Sequence, residues 1–220
     1  MSVARGVYAR VPAGVDPAGF FPDGFLVAVA VREDAVFSHH SALELLGAAH
    51  SVWNVITVVT TRPRKALELE KQRILFLARP APLVRASMPG LGLHGVDRLG
   101  QQLRVTGPER TLVDGFRDLR HVGGPPELVD SAAGFGVLDL DLLGQLLDVY
   151  SEKGLYAAVG WFLERHQRSF SVPDDYLVQL EHNRPRSPHY LLRGRRGGSL
   201  VRRWNLILPE ELTTQEPDER

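Results

Sequence analysis

The segment 106–114, Thr-Gly-Pro-Glu-Arg-Thr-Leu-Val-Asp, constrains the fold more than any other part of this chain. Pro108 suits the first turn of a helix, and Glu109 is favourable beside the positive N-terminus of that helix. Arg110 and Asp114 lie one turn apart, a spacing at which opposite charges attract each other on a helix surface. The segment therefore predicts the end of a strand followed at once by a helix. We expect three apolar residues on its buried face: Leu112, Val113 and Phe116.

The chain as a whole has the composition of an ordinary globular protein with one principal domain. Its 220 residues are 44% hydrophobic and 24% charged, and 26 basic side chains balance 26 acidic ones, so no chain-wide signal favours a polyanionic partner. Cysteine is absent, which excludes disulfides and thiolate zinc sites. No apolar run reaches the roughly 18 residues of a membrane span, and the first residues lack the apolar core of a signal peptide. We expect a cytoplasmic monomer without a membrane partner.

Hydrophobic periodicity divides the chain into a sheet region and a helical region. Strands are predicted at 5–12, 55–60, 74–77, 83–87, 94–97 and 102–106, with a closing strand at 201–208. Helices are predicted at 25–31, 38–47, 108–119, 125–134, 139–150, 154–167 and 173–184. Within the second of these helices, Ser41 and Glu44 have the spacing of a capping box, and Gly47 can close the helix. The fold class is α/β of the α+β kind: a mixed sheet region, a helical region and a closing C-terminal strand.

The chain contains one histidine pair and one acidic pair that could be metal ligands. On a helix, His39 and His40 would point about 100° apart, so one should lie near the core and the other near solvent, and no convergent metal-ligand set accompanies them. Asp139 and Asp141 have the spacing of a magnesium-binding pair. However, Val137-Leu138 precedes them where nucleotidyltransferases place Gly-Ser, so helix capping is the better interpretation. We predict no metal site.

The enzyme motifs that can be tested are not present in the sequence. A restriction-like nuclease needs a carboxylate two residues before a lysine, but Lys65, Lys71 and Lys153 have Pro63, Leu69 and Ser151 at that offset. There is no Gly-x-Ser-x-Gly elbow, phosphate-binding loop or dinucleotide fingerprint. We therefore predict no catalytic residues, no cofactor and no enzymatic activity, although a degenerate nuclease site with glutamine or glutamate in place of lysine stays open.

The C-terminal arginine segment, residues 184–203, is the strongest local concentration of charge. It contains seven arginines and no aspartate or glutamate. It could meet an acidic protein surface or a phosphate backbone, or it could be a solvated loop packed beside Trp204, whose ring we expect to be buried. The candidate partner-binding residues are Arg184, Arg186, Arg193, Arg195, Arg196, Arg202 and Arg203.

Several short motifs occur in a fixed order along the chain. They are Gly6-Val-Tyr8, Ser38-x-x-Ser41-Ala, Glu109-Arg-Thr-Leu-Val-Asp114, Trp204-Asn205 and Pro209. In this order the chain resembles the AbiEi family, the antitoxins of type IV toxin–antitoxin systems that act in phage defence by abortive infection. The resemblance implies that the C-terminal domain counters a cognate nucleotidyltransferase toxin, and that an N-terminal winged helix-turn-helix represses transcription by binding operator DNA.

The resemblance also implies domain boundaries. Residues 1–22 would be the remnant of the winged module and its linker, 23–209 the antitoxin domain, and 210–220 a flexible tail. The chain would then begin at the last wing strand, through a shortened gene or a start codon assigned too late, and operator binding would need a winged domain upstream. Two alternatives to an antitoxin remain at this point: a DNA-binding transcriptional repressor, and a degenerate restriction-like nuclease.

Overall fold

The computed structural model describes residues 1–192, 194 and 197–213. The strands, in chain order, are β1 Ser2–Ala4, β2 Val7–Tyr8, β3 Val36–Phe37, β4 Val55–Thr60, β5 Leu67–Glu68, β6 Arg73–Ala78, β7 Leu93–Arg98, β8 Gln101–Thr106, β9 His189–Tyr190, β10 Ser199–Val201 and β11 Leu206–Leu208. The helices are α1 Gly24–Val31, α2 His40–Leu45, α3 Ala81–Arg85, α4 Pro108–Arg117, α5 Pro125–Ala133, α6 Leu140–Tyr150, α7 Lys153–Arg165, α8 Asp174–His182 and α9 Glu210–Thr213. Among the described residues, no helix is long and apolar enough to cross a membrane.

The main sheet is mixed, with strand order β5-β6-β4-β3-β8-β7. β4 is parallel to β6 and β3 is parallel to β8, whereas the other neighbouring pairs are antiparallel. Helices follow the sheet from α4 onward, so the α+β class and the order of its two regions are confirmed. Two further small sheets are a β1-β2 hairpin and a three-stranded sheet of order β10-β11-β9.

One core lies between the main sheet and α1, the helix that precedes the sheet's first strand, β3. The run predicted as a helix at 25–31 is α1, and Asp23 caps it by accepting hydrogen bonds from the amides of Phe25 and Leu26. Phe25 packs on Phe37 of β3 at 5.2 Å between ring centroids. Ile56, Val58, Ile74 and Phe76 of the central strands complete this core.

A second core fills the helical region. Pro108 and Pro125 begin α4 and α5, and Asp139 caps α6 by accepting from the amide of Leu142 at 2.9 Å, so the capping interpretation of Asp139 is confirmed. The leucines of α6 face inward, and α6 packs against α4 and α3, with Leu143, Leu146 and Leu147 fully buried. The helix boundaries predicted from periodicity agree with the structure to within a few residues.

Arg110 contributes more than the predicted pair with Asp114. The pair exists, with 3.4 Å between Arg110 Nε and Asp114 Oδ2, and both side chains are almost fully buried. The guanidinium also donates to the carbonyls of Pro89 and Leu91, at 3.0 and 2.9 Å. Arg110 therefore ties the loop before β7 to α4, and burial of a charge is tolerated because its donors are satisfied.

Three predicted strands differ from the structure. Of 5–12, only Val7–Tyr8 is a strand, β2, which pairs with β1 in a hairpin. The segment 83–87 forms α3 instead, because Pro80 and Pro82 stand at its start, where proline favours a first helical turn. The closing strand 201–208 is interrupted: Arg202–Trp204 forms a 3-10 turn and Asn205 has φ +48°, so β10 and β11 pair as an antiparallel hairpin. Asparagine tolerates this left-handed conformation better than most residues.

Helix α2 is present, but its predicted capping box is wrong. Ser41 lies inside the helix and its hydroxyl accepts from the amide of Thr57 in β4 at 2.8 Å. The cap residue is His39, with φ +56°, and its carbonyl accepts from the amides of Ala42 and Leu43. This turn also overturns the expected division of the histidines, since His39 and His40 are both buried. At the other end, Gly47 has φ +72° and closes the helix as predicted.

Candidate partner-binding site

The C-terminal arginine segment follows α8 and contains β9 and β10. Three of its seven candidate residues, Arg193, Arg195 and Arg196, lie outside the described residues. The other four fall into two pairs: Arg184 and Arg203 are partly buried, and Arg186 and Arg202 are exposed. The 210–220 segment predicted as a tail begins with α9, whose Leu212 is buried, and residues 214–220 are outside the described part.

Arg203 is held between two carboxylates from neighbouring helices. Its Nη1 donates to Glu164 Oε1 of α7 at 2.5 Å, and its Nε donates to Glu181 Oε2 of α8 at 3.0 Å. Burial alone would lower the pKa of Arg203, but these hydrogen bonds outweigh it and raise that pKa. The charge of Arg203 is therefore neutralised locally.

Glu181 also partners Arg184, with 3.8 Å between Arg184 Nη1 and Glu181 Oε1 and a 3.0 Å hydrogen bond from that nitrogen to the Glu181 carbonyl. The C-terminal arginine segment contains no acidic residue, but the fold places Glu164 of α7 and Glu181 of α8 beside it. Arg186 and Arg202 make no ion pair with any described residue. Within the described residues, these two arginines are the ones left available for an acidic partner.

Trp204 anchors the segment to the helical core, as predicted. Its ring is fully buried, and its Nε1 donates to Glu164 Oε2 at 2.6 Å. The ring packs on Gly160 of α7 so closely that a Cβ at Gly160 would lie 2.2 Å from it. One carboxylate, that of Glu164, thus fixes both the tryptophan and the arginine beside it.

An open cleft of about 990 Å³ adjoins the segment. Its walls are the end of α4 and the turn after it (116–120), the start of α7 (152–155) and the stretch around β9 (189–192). The fold brings these three walls together because β9 runs parallel to β11, and β11 packs on the helical core through Leu206 and Leu208. The cleft is therefore a concave feature next to the predicted partner-binding residues.

Charged side chains line this cleft. Arg117 Nε donates to Glu152 Oε1 at 2.7 Å, and Arg120 makes a two-pronged contact with Asp118 at 2.8 and 2.7 Å. The hydrogen bond from Arg120 is the largest cause of a lowered pKa at Asp118. Lys153 is exposed at the rim and has no ion pair with a described residue. The lining thus carries three cations and two carboxylates, a small positive excess.

The edge of β9 that faces away from β11 has free backbone groups. His189 and Leu191 donate their amides to the carbonyls of Asn205 and Ile207, at 2.8 and 3.0 Å. Since alternate residues of a strand direct their backbone groups to opposite sides, the amide and carbonyl of Tyr190 face away from β11. Within the described residues they have no hydrogen-bond partner. An extended segment of a partner could pair there.

A buried polar cluster lies behind the cleft. His39 packs edge-on against His121 at 5.4 Å between ring centroids, and Tyr150 donates to the carboxylate of Asp114. Burial lowers the pKa of His39 to about 4, and it raises the pKa of Tyr150, with Asp114 adding to that rise. Ser38 Oγ lies 2.9 Å from His39 Nδ1, but Ser38 is fully buried, so this pair cannot reach a substrate. The cluster supports the fold.

No group of three His, Asp or Glu side chains in the described part of the chain has a geometry that could hold a metal ion. The residues that sequence reasoning missed are those of the cleft, chiefly Arg117, Arg120 and Lys153. Each stands near the end of a predicted helix, where charged residues are common. No local signal marked them, because three separate segments form the cleft.

Among solved structures, the crystal structure of the Rv2827c protein from Mycobacterium tuberculosis is similar to this chain. The TM-score is 0.55 at 17% sequence identity, over 86% of this chain and 68% of the other. At this identity the likeness concerns the fold alone. No family model matches the chain. No curated protein matches it either.

Proposed function

We propose that this chain is an antitoxin-like regulator of a type IV toxin–antitoxin system that counters a cognate nucleotidyltransferase toxin. The observation that carries the proposal is the ordered set of AbiEi-like motifs along the chain. We further propose that it acts in the cytoplasm, as a monomer and without enzymatic activity. The cleft beside the C-terminal arginine segment is the proposed surface of action.

The positions of the motif residues support this proposal. Ser41 joins α2 to β4, Glu109 accepts from the amide of Asp139 at 2.8 Å, and Trp204 joins β11 to α7. Residues of the motifs thus stand at contacts between distant elements, where a change would disturb the fold.

The surface chemistry supports a protein partner at the cleft. The cleft combines an open strand edge at Tyr190 with a small excess of positive charge, and the exposed Arg186 and Arg202 belong to the segment that forms one of its walls. Tyr190 is 39% exposed, and a partly exposed tyrosine with free backbone groups is typical of residues that contact other proteins. Charge at the rim would steer an acidic partner and set the rate of association.

Growth rescue tests the proposal. A nucleotidyltransferase encoded beside this gene is induced with and without this chain, and colony formation is scored. Two charge-reversed double variants are compared: Arg186→Glu with Arg202→Glu on the segment, and Arg120→Glu with Lys153→Glu in the cleft. The matched control is Arg5→Glu with Arg168→Glu, which makes the same change in net charge at exposed positions elsewhere. Circular dichroism confirms that each variant is folded.

Rescue by the chain and by the control, with loss in either surface variant, is the expected result. Equal rescue by all variants would remove the cleft and the segment as the surface of action. Absence of rescue by the soluble wild-type chain would contradict the antitoxin proposal for this pair, unless a longer product read from an upstream start restores growth.

A further inference from the structure

A second concentration of positive charge lies at one end of the main sheet. β4 and β6 are parallel with Thr60 opposite Ala78, so the loops after both strands emerge at the same end. β3 begins at that end, because it is antiparallel to β4 with Val36 opposite Val59. We call this region the sheet-end surface. Its cations come from four separate segments: Arg32, Arg62, Arg64, Lys65, Arg79 and Arg104.

The turn at Glu33 and Asp34 holds these segments together. Asp34 accepts from the amide of Thr61 at 2.7 Å, and Arg32 donates to the carbonyl of Arg62 at 2.8 Å. Arg104 of β8 donates to the carbonyl of Glu33. These contacts fix the start of the basic loop after β4 against the start of β3 and against β8. The cations therefore share one surface although they are scattered in sequence.

The carboxylates here do not neutralise the cations as they do near Trp204. Asp34 is engaged by Arg32 at 2.7 Å and by Thr61, and Glu33 is an exposed residue beside it. The other five cations make no ion pair with any described residue. Four of them, Arg62, Arg64, Lys65 and Arg104, are exposed, and Arg79 is half-buried. The surface keeps a clear positive excess.

Arg64 is oriented without losing its donors. Its guanidinium carbon lies over the Phe76 ring, 5.4 Å from the ring centroid, so the cation and the ring attract each other. A stacked guanidinium keeps its N–H groups free at the edge, where they can meet a phosphate in a two-pronged contact. The loop therefore presents at least one preorganised donor.

The chemistry of the surface favours phosphates over a protein partner. Protein interfaces have a core of apolar and aromatic side chains that is depleted of charge. Among the described residues, the aromatic ring in contact with these cations is that of Phe76, and it is buried under Arg64. Arginine and lysine side chains are hydrogen-bond donors without acceptors, which suits phosphate oxygens. Contacts to phosphates do not by themselves distinguish one base sequence from another. We propose that the sheet-end surface binds the phosphodiester backbone of double-stranded DNA, independently of base sequence.

The proposal does not rest on the antitoxin function and is tested separately from it. Binding of the full chain to a fluorescent DNA duplex of mixed sequence is measured by anisotropy over a range of salt concentrations. If all five unpaired cations contact phosphates, the logarithm of the affinity should fall against the logarithm of salt with a slope of about −4 to −5. Arg64→Glu with Lys65→Glu should weaken binding at low salt by at least roughly tenfold and reduce the slope by about 2.

Arg5→Glu with Arg168→Glu makes the same change in net charge and should leave affinity within roughly twofold. A neutral variant, Arg62→Gln with Lys65→Gln, should give a smaller loss in the same direction and replaces the reversed variant if that one unfolds. Equal losses in the reversed and control variants, or binding that does not depend on salt, would overturn the proposal. A duplex RNA of the same sequence carries the same phosphates, so binding more than about tenfold tighter to RNA would reject DNA as the ligand.

Discussion

The C-terminal arginine segment and the sheet-end surface both concentrate positive charge, but the fold treats them in opposite ways. In the first, arginines are close in sequence, Glu164 of α7 and Glu181 of α8 neutralise Arg203, and Glu181 also approaches Arg184. In the second, cations from four segments meet, and the nearby Asp34 is engaged by Arg32 and Thr61. Local charge density in a sequence therefore does not measure the charge of a surface. The partners supplied by other elements decide it.

The largest expected effect concerns the packing that attaches the C-terminal arginine segment to the helical core. Gly160→Ala should lower the free energy of unfolding by about 2–3 kcal/mol, because the new Cβ would overlap the buried Trp204 ring. Gly144→Ala is the matched control in another helix. Its Cβ would lie 3.6 Å from the Tyr176 hydroxyl, so the change should stabilise by about 0.5–1 kcal/mol. Urea denaturation of both variants measures this, and equal effects would mean that Trp204 is not the anchor.

The second-largest effect is expected from removing one carboxylate from each region, because the two changes should differ in their cost to stability. Glu164→Ala leaves the buried indole N–H of Trp204 without its acceptor and frees Arg203, so we expect a loss of about 2 kcal/mol. Glu33→Ala at the sheet-end surface should change stability by less than about 0.5 kcal/mol, since Glu33 is exposed and holds Arg104 through its backbone. Chemical denaturation at neutral pH gives both values. A similar loss in the two variants would contradict the contrast.

The stability of the protein should depend on pH through Asp34 of the sheet-end surface. Burial favours its neutral form, but hydrogen bonds from Thr61 and Arg32 outweigh burial and hold the pKa of Asp34 well below its ordinary 3.8. A lowered pKa contributes stability above the unfolded value, and that contribution is lost as pH falls below about 3.8. Asp34→Asn should therefore cost about 1 kcal/mol at pH 7, with the difference shrinking in acid. A difference that grows as pH falls would show that the sign is wrong.

The smallest expected effect comes from exchanging arginine for lysine. Arg203→Lys should destabilise by about 0.5–1 kcal/mol, because one ammonium cannot reproduce the planar contacts to Glu164 and Glu181. Arg62→Lys should be neutral within about 0.5 kcal/mol, since the Arg62 side chain makes no ion pair with a described residue and only its carbonyl is used. Thermal denaturation of the two variants compares them. Equal losses would show that the arginine at the sheet end is also structural.

Local signals in the sequence were enough for much of the framework. The proline start at 108, the helix at 125–134, the Asp139 cap and the burial of Trp204 were all predicted, because each depends on residues within one or two turns or on strong hydrophobicity. The hydrophobic runs of β4 and β6 were also sufficient to predict strands.

Two of the errors, at Ser41 and at the histidine pair, come from structure that the local sequence pattern does not show. Ser41 has capping-box spacing but bonds to Thr57 across the core, and the φ of +56° at His39 places two adjacent histidines inside. The apolar run 83–87 lacked a period long enough to distinguish strand from helix. The cleft and the sheet-end surface could not be predicted either, because each is assembled from several segments that are distant in sequence.

The parallel pairing of β3 with β8 has a consequence for synthesis. Phe37 pairs with Val105, so the centre of the main sheet cannot close until the strand at 101–106 has left the ribosome. Until then the edge of β3 that pairs with β8 lacks its partner strand and the buried residues of α1 are incompletely covered, and such exposed strands favour aggregation. The nascent chain should therefore depend on chaperones during the interval in which residues 60 to 106 are made. Slow translation within that interval should lower the yield of folded protein.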